Sequence, residues 1–403
     1  MLLRGNPSFR ALLAARAISF VGDGITVTAL VLLAAKQHGP TGVAVLLLAN
    51  ALPRLGGPLA GVLVDRVAPR RLMISCELVS ALVIGVIAVA LPPLPLLAAL
   101  VMAAAVLATI LSPAGRSVVP VLVDPVDRAP ANSLFGLTRT LQVAVGPGLA
   151  GLLAAGPGGV RTALVVDAAT FVVAALLLLR IPALAPARDP AAVTGVWAEG
   201  AAGVRYVATH RQVRVLVLTL FLIVAFAGVD NVALVFLTGE ELAAGPAGYG
   251  LAASAFGVGM LLTSAACARL TRGYSPMALL VVAVGVSGVG NVLTGLAPVL
   301  AVVVAAQLIA GAGNAMENIA NDTLVQNLVP RALLGRVFGT LGTAAQLGAA
   351  VAYLAGALLV ELIGARVTFI LAGVGTLAIL FILVPVSGIR ADAGLGHRGS
   401  RGP

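Results

Sequence analysis

Charge is what this sequence has least of. Only 10% of its 403 residues are Asp, Glu, Lys or Arg, while 60% are apolar, and the mean hydropathy is +1.10. Soluble domains carry about 25% charged and 45–50% apolar residues. An ordinary soluble enzyme is therefore excluded, and so is a disordered chain, which needs the opposite bias. Lysine occurs once, as Lys36, so no Gly-x-x-x-x-Gly-Lys loop exists to cradle ATP. The three histidines, His38, His210 and His397, all fall in expected loops or the tail. Metal clusters and Ser-His catalysis lack their parts, so neither a catalytic site nor a cofactor is expected. Cys76 and Cys267 fall near expected cytoplasmic helix ends and read as free thiols, not a disulfide. Aromatics make up 4% and do not interleave with basic blocks. The net charge of +10 therefore does not signal nucleic acid.

What the chain has instead is continuous apolar runs. A spanning helix needs about 20 apolar residues to cross roughly 30 Å. At about 34 residues per crossing, loops included, this length predicts about twelve crossings. The runs place helices near 9–35, 41–63, 71–91, 96–118, 130–154, 160–181, 213–237, 246–269, 276–296, 299–323, 337–360 and 366–386. Barrel strands would alternate over about ten residues, and these runs do not. No cleavable signal peptide is expected, because the first run is long and lacks a small-residue cleavage site. The expected fold is an all-α polytopic membrane protein with twelve transmembrane helices in two six-helix halves.

The basic residues test that count. With the N-terminus inside, twenty of the 25 fall on the cytoplasmic side, while Lys36, Arg161 and Arg366 fall outside and Arg16 and Arg54 lie within helices. A miscounted helix would scramble this alternation. Both termini are expected in the cytoplasm and the chain in the plasma membrane. The longest polar break, about 182–212, divides the chain. It suggests halves at 1–184 and 212–386, a linker at 185–211 and a tail at 387–403. Trp197, Val204 and Val207 give the linker an amphipathic pattern; a plain solvated linker is the alternative. The halves repeat weakly. Gln142 through Leu149-Ala150-Gly151 matches Gln346 through Leu354-Ala355-Gly356 at an offset of about 205, as expected of duplicated transporter halves.

Three motifs narrow the reading. After the second helix stands Gly61-Val62-Leu63-Val64-Asp65-Arg66-Val67-Ala68-Pro69-Arg70-Arg71. It resembles the signature loop of the major facilitator superfamily: Gly, three residues, Asp-Arg, then a basic pair. The resemblance implies a cytoplasmic gate made by Gly61, Asp65, Arg66, Arg70, Arg71 and Arg116; positive-inside charge alone is the alternative. In the fifth helix, Gly146-Pro147-Gly148-Leu149-Ala150-Gly151 is similar to the Gly-Pro motif of drug antiporters. There Gly146, Pro147 and Gly151 would kink the helix and let backbones approach. Third, Arg16 through Asp23 and Ser112 through Pro120, followed by Ala131-Asn132, look like the branch with the enterobactin exporter and macrolide efflux proteins. One departure stands out. The fourth-helix arginine common in proton-driven drug exporters is absent from Met102 through Ala108.

Polar groups within the bilayer mark the remaining candidates, because each charge there costs several kcal/mol. On the first helix Arg16, Ser19, Asp23 and Thr26 are spaced by 3, 4 and 3 and share a face. Asp23 lies about 21 Å deep, where a carboxylate can load and release a proton; a structural Arg16–Asp23 network is the alternative. The tenth helix carries Gln307, Gly311, Asn314, Glu317, Asn318 and Asn321 on one face, which lipid cannot satisfy. The fourth contributes Thr109, Ser112 and Arg116, the seventh Asp230 and Asn231. The resemblance implies that these four helices line a central cavity. Proton-coupling candidates are Asp23, Arg16, Arg54 and Asp230. Substrate-cavity candidates are Ser19, Thr26, Thr109, Ser112, Asn231, Gln307, Asn314, Glu317 and Asn318. Arg54 is weighed as a substitute for the missing arginine, Asp167 as structural, and Glu77 as a surface partner of Arg70–Arg71. The expected partners are a small amphipathic substrate, protons and lipid, acting on a monomer. The expected activity is export by proton antiport, with an importer or uniporter, or a non-transporting receptor or scaffold, as alternatives.

Overall fold

The computed structural model describes residues 5–57, 60, 63–64, 67–183, 196–270 and 275–383. Every regular element among them is helical. Nine helices among the described residues are long and apolar enough to span a bilayer. Two of these, Pro7–Gly56 and Arg331–Leu383, hold 50 and 53 residues, too many for one crossing at about 20 each. Each is interrupted by a glycine in the left-handed region, Gly39 at φ 62° and Gly364 at φ 79°, a conformation L side chains resist. Each is thus a pair of crossings. One more crossing is broken into Arg128–Ala144 and Gly146–Ala155, and neither piece reaches spanning length. The described residues are therefore consistent with twelve crossings.

In chain order, crossings one and two lie in Pro7–Ala51, kinked at Gly39. Three is Pro69–Ala90 and four Leu94–Leu122. Five is the broken pair, and six is Gly159–Leu178. Seven is also broken, into Arg211–Ala227 and Asp230–Phe236. Eight is Gly245–Leu270, nine Pro276–Leu296 and ten Leu300–Leu328. Eleven and twelve lie in Leu334–Ala378, kinked at Gly364. Between the halves, the helix Val196–Thr209 packs on crossing eleven. A Cβ on Gly203 would meet the Arg336 carbonyl oxygen and the Thr340 hydroxyl, and Val207 is buried while Val204 is 58% exposed. The amphipathic pattern thus docks on the protein with one face. The side chain of Trp197 lies outside the described residues.

Cross-links at each end fix the alternation. At one end Asn6 donates to the Leu122 carbonyl and Arg70 to the Leu179 carbonyl at 2.8 Å. We call this the arginine-rich end. At the other, Arg161 donates to the Val89 carbonyl, and Arg366 pairs with Glu241 at 2.7 Å. Thr41 donates to Glu361 there at 2.8 Å, joining the two halves.

The core is distributed unevenly along this axis. At the arginine-poor end one apolar cluster runs through both halves. It joins Ile25, Leu47 and Phe171 to Val232, Phe236, Tyr249 and Phe369. At the arginine-rich end there are two separate clusters. Phe9, Leu12, Met73 and Phe135 belong to one half, and Leu216, Leu280, Leu324 and Val337 to the other. Among the described residues the apolar core joins the halves at the arginine-poor end and stays separate within each half at the arginine-rich end. Outward, Leu82, Val89 and Phe381 are 67%, 77% and 84% exposed, the apolar belt that lipid covers.

Candidate functional site

Two adjoining chambers share a wall; the first lies within the first six crossings, with Gln346 alone of its lining from the other half, and the second is lined from both halves. The first has a volume of about 360 Å³. Crossing one supplies Asp23 and Thr26, two Arg54, four Thr109, Ser112 and Arg116, five Arg139, and six Asp167. Asp167 is fully buried and held on both oxygens. Thr26 donates to Oδ2 at 2.5 Å and Thr170 to Oδ1 at 2.9 Å. Glycine at position 22 makes this possible, because a Cβ there would collide with Asp167 and Thr170. Asp167 is therefore both structural, as expected, and part of the chamber wall. Thr109 turns its hydroxyl back to the Ala105 carbonyl at 2.7 Å and offers the chamber no donor. Arg54, in a tight turn at the end of crossing two, donates to Asn50 at 2.8 Å.

Below this chamber lies a sealed ion pair. Arg16 Nη1 is 3.0 Å from Glu77 Oε1, with side-chain exposures of 1% and 0%. Ser19 donates to Glu77 Oε2 at 3.1 Å, and the Arg16 guanidinium lies 4.3 Å from the centroid of the Phe20 ring. This changes three expectations. Glu77 is not a surface partner of Arg70 and Arg71, since it points inward from crossing three. Arg16 and Ser19 line neither chamber, because Glu77 covers that turn of the helix. Only the next turns of the same stripe, at Asp23 and Thr26, reach open space.

The second chamber, about 410 Å³, lies mostly in the other half. It gathers the expected Asp230, Asn231, Gln307, Asn314, Glu317 and Asn318. The breaks in crossings five and seven both border it. In seven, Asn231 donates to the carbonyl of Gly228 at 3.0 Å and to Asp230 at 2.7 Å, so the interrupted backbone is satisfied by its own side chain. Asn314 and Asn318 bond to each other at 3.1 Å. Val27, Asn50, Arg54 and Gln142 line both chambers and form their common wall. Sequence reasoning missed Asn50, Arg139, Gln142, Tyr249, Asn291, Asn321 and Tyr353 as wall residues, Asn321 having been placed only in the stripe. Asn291 carried a readable signal, an amide inside the apolar run 276–296.

Of the expected gate, Gly61, Asp65 and Arg66 lie outside the described residues. Arg70 is tied to crossing six. Arg71 and Arg116 are exposed, and Arg116 also lines the first chamber. Cys76 is a buried free thiol.

Gly146, Pro147 and Gly151 sit where crossings one, five and eight touch backbone to backbone. Pro147 has no N–H, and the helix breaks just before it, at Val145 with φ −112°. The Gly148 N–H donates across the halves to Ser254 Oγ at 2.7 Å. A Cβ on Gly146 would meet Gly24, and one on Gly250 would meet the Pro147 carbonyl and Gly151. A leucine at Gly250 must push crossings five and eight apart. Gly250→Leu is expected to cost about 1–3 kcal/mol, read as a lower unfolding midpoint. Gly285→Leu, where nothing lies within 4 Å, is the control that should hold the wild-type value.

Comparison with known proteins follows from this geometry. The profile of the Major Facilitator Superfamily matches residues 12–238 and 216–399. The chain is 26% identical over 386 residues to the uncharacterized MFS-type transporter YfiS of Bacillus subtilis (strain 168), covering 92% of this chain and 91% of that one. It is 29% identical over 182 residues to BacE of Bacillus amyloliquefaciens, a protein named for bacilysin export, covering 44% of each. The crystal structure of the nucleoside transporter NupG superposes with a TM-score of 0.74 at 12% identity, covering 93% of this chain and 98% of that one.

Proposed function

The chain belongs to the Major Facilitator Superfamily, and from that premise we propose that it exports a small amphipathic molecule by proton antiport. The observation that carries this reading is Asp23. It lines the first chamber together with Arg54 and Asp167, and that chamber shares a wall with the space between the halves. A titratable group exposed to the transport space lets one site exchange a proton and sense a substrate. Residues 1–184 and 212–386 would rock about the two chambers in alternating access, with 185–211 as the linker and 387–403 as a tail. The arginine-rich end would face the cytoplasm, following the twenty-to-three distribution of basic residues. Both termini would then lie on the cytoplasmic side of the plasma membrane, and Asp65 with Arg66 would latch the halves when that end closes. Export is supported by the Gly-Pro break in crossing five and by partial similarity to BacE. A monomer suffices, since both chambers are built within one chain.

A second reading is import or uniport. It draws on the uncharged stretch Met102 through Ala108 in crossing four. The purified protein in proteoliposomes separates the two. With an imposed pH gradient, macrolides and lipophilic cations are expected to move against their own gradient. Movement indifferent to the pH difference would sink antiport and favour uniport.

A further inference from the structure

The two chambers differ in charge balance: the first sets three arginines against the carboxylates Asp23 and Asp167, the second sets Asp230 and Glu317 against Arg54 alone. Arg54, Arg116 and Arg139 line the first, and among the described residues none of them pairs with a carboxylate at salt-bridge distance. The second chamber holds Asp230 and Glu317. The residues that the last six crossings lend to it include no lysine, arginine or histidine; its one base is Arg54, on the wall shared with the first chamber. Around its carboxylates the wall is unfinished. Asn291, Gln307, Glu317 and Asn321 are 1%, 1%, 3% and 5% exposed. Yet Asn291 Oδ1, Gln307 Nε2, Glu317 Oε1 and both polar atoms of Asn321 have no hydrogen-bond partner among the described residues. Protein interiors satisfy almost all such atoms, because an unmade bond there is costly. All four of these residues and Asp230 line one space, so a polar permeant that enters it finds donors and acceptors already placed.

The balance of those groups says what kind of molecule fits. Three of the five unpartnered atoms are acceptors, one of them a carboxylate oxygen, and Asp230 lines the same space. An ammonium brings three donors and no acceptor, which matches that end. A cation alone would leave Arg54 facing it across the common wall. An anion alone would have no partner beside Asp230 and Glu317. We propose that the permeant is a small zwitterion of amino-acid or dipeptide type. Its ammonium is received by Asp230, Glu317 and the surrounding amides, and its carboxylate by Arg54 on the shared wall. This inference deepens the transport reading and rests on it. It replaces "amphipathic" with two charges of opposite sign held at a set separation.

The test uses the purified full-length protein and four probes: L-alanyl-L-phenylalanine, its C-terminal amide, its N-acetyl derivative and the doubly blocked peptide. They are zwitterion, cation, anion and neutral molecule on one skeleton. Ligand-induced thermal stabilisation is the first readout and counterflow in proteoliposomes the second. The zwitterion is expected to act at about tenfold lower concentration than either singly charged form, the gain of one charge-assisted contact. Asp230→Asn should reduce the zwitterion to the level of the N-acetyl form, and Arg54→Gln to that of the amide. Asp230→Glu and Arg54→Lys keep the charges and should keep the preference, which separates lost recognition from lost folding. A cation that binds as well as the zwitterion overturns the proposal. So does indifference to all four probes while a lipophilic cation still moves with the pH gradient, and in that case export stands. If the zwitterion binds but no probe of any kind moves, the export reading fails and the binding site stands.

Discussion

Glu77→Gln is expected to destabilise the protein by about 3–5 kcal/mol, the cost of leaving a buried charge without its partner. Arg16 is 1% exposed and Glu77 fully covered, so neither water nor a headgroup can reach the orphaned guanidinium. The Phe20 ring, 4.3 Å away, supplies only a weak substitute at about 0.5–2 kcal/mol. Removing both charges should be far milder, because well-packed apolar replacements of a buried pair are often neutral. Arg16→Met combined with Glu77→Leu is therefore expected to recover most of the loss. Ser19→Ala sets the lower bound. Single hydrogen bonds inside membrane proteins average about 0.6 kcal/mol, so deleting the 3.1 Å bond to Glu77 should barely register. Cys76 is next to Glu77 in sequence, 4% exposed and a free thiol. In a Cys267→Ser background, a dye that fluoresces on reacting with a thiol reports the opening of this same core. An unchanged midpoint for Glu77→Gln, or a double variant no more stable than the single, would remove the ion pair from the account of stability.

Much of the architecture was legible because lipid is a demanding solvent. It forces every backbone group into a helix and every helix to a similar length, so runs of apolar residues translate almost directly into crossings. Gly39 and Gly364 mark two of the places where the chain turns back with left-handed backbone, and Pro147 marks the break in crossing five. These are local signals. The stripe on crossing ten was legible for the same reason, since amides in lipid must face protein or a cavity, and Gln307 through Asn318 do line one.

What failed was partner choice. Arg16, Ser19, Asp23 and Thr26 share a helix face, and nothing along that helix says where the face passes from one neighbour to the next. Glu77 decides it from 61 residues away by covering the first turns and leaving the later ones open. One basic residue misled in a related way. Arg139 fits the alternation of charge and so reads as an orientation signal, but it also lines the first chamber. A residue near a helix end can serve the membrane side and the transport path together, and sequence spacing does not separate the two. The linker helix shows the converse. Its amphipathic pattern was visible, but its apolar face docks on the protein through Val207 and Gly203.

Asp23→Asn is expected to abolish proton-driven accumulation while sparing exchange. Three carboxylates cluster in the first six crossings, and they differ in what already holds them. Asp167 has two threonine donors and Glu77 has an arginine and a serine. Asp23 has no side-chain hydrogen bond among the described residues and lies open to the chamber. It is the one whose charge can change without breaking a formed network. One proton exchanged per substrate across a one-unit pH difference is worth about 1.4 kcal/mol, or about tenfold accumulation. Asparagine keeps the shape but carries no exchangeable proton at neutral pH, so the accumulation ratio should fall from about tenfold to one. Counterflow, which needs only that loaded carriers cross in both directions, should persist near the wild-type rate. Asp167→Asn should differ in kind. Its amide nitrogen must face one of two hydroxyls now donating to it, so folding and both modes of transport should suffer together. If Asp23→Asn still accumulates substrate tenfold, the coupling proton belongs to the second chamber, and Asp230→Asn and Glu317→Gln become the variants in which accumulation should collapse.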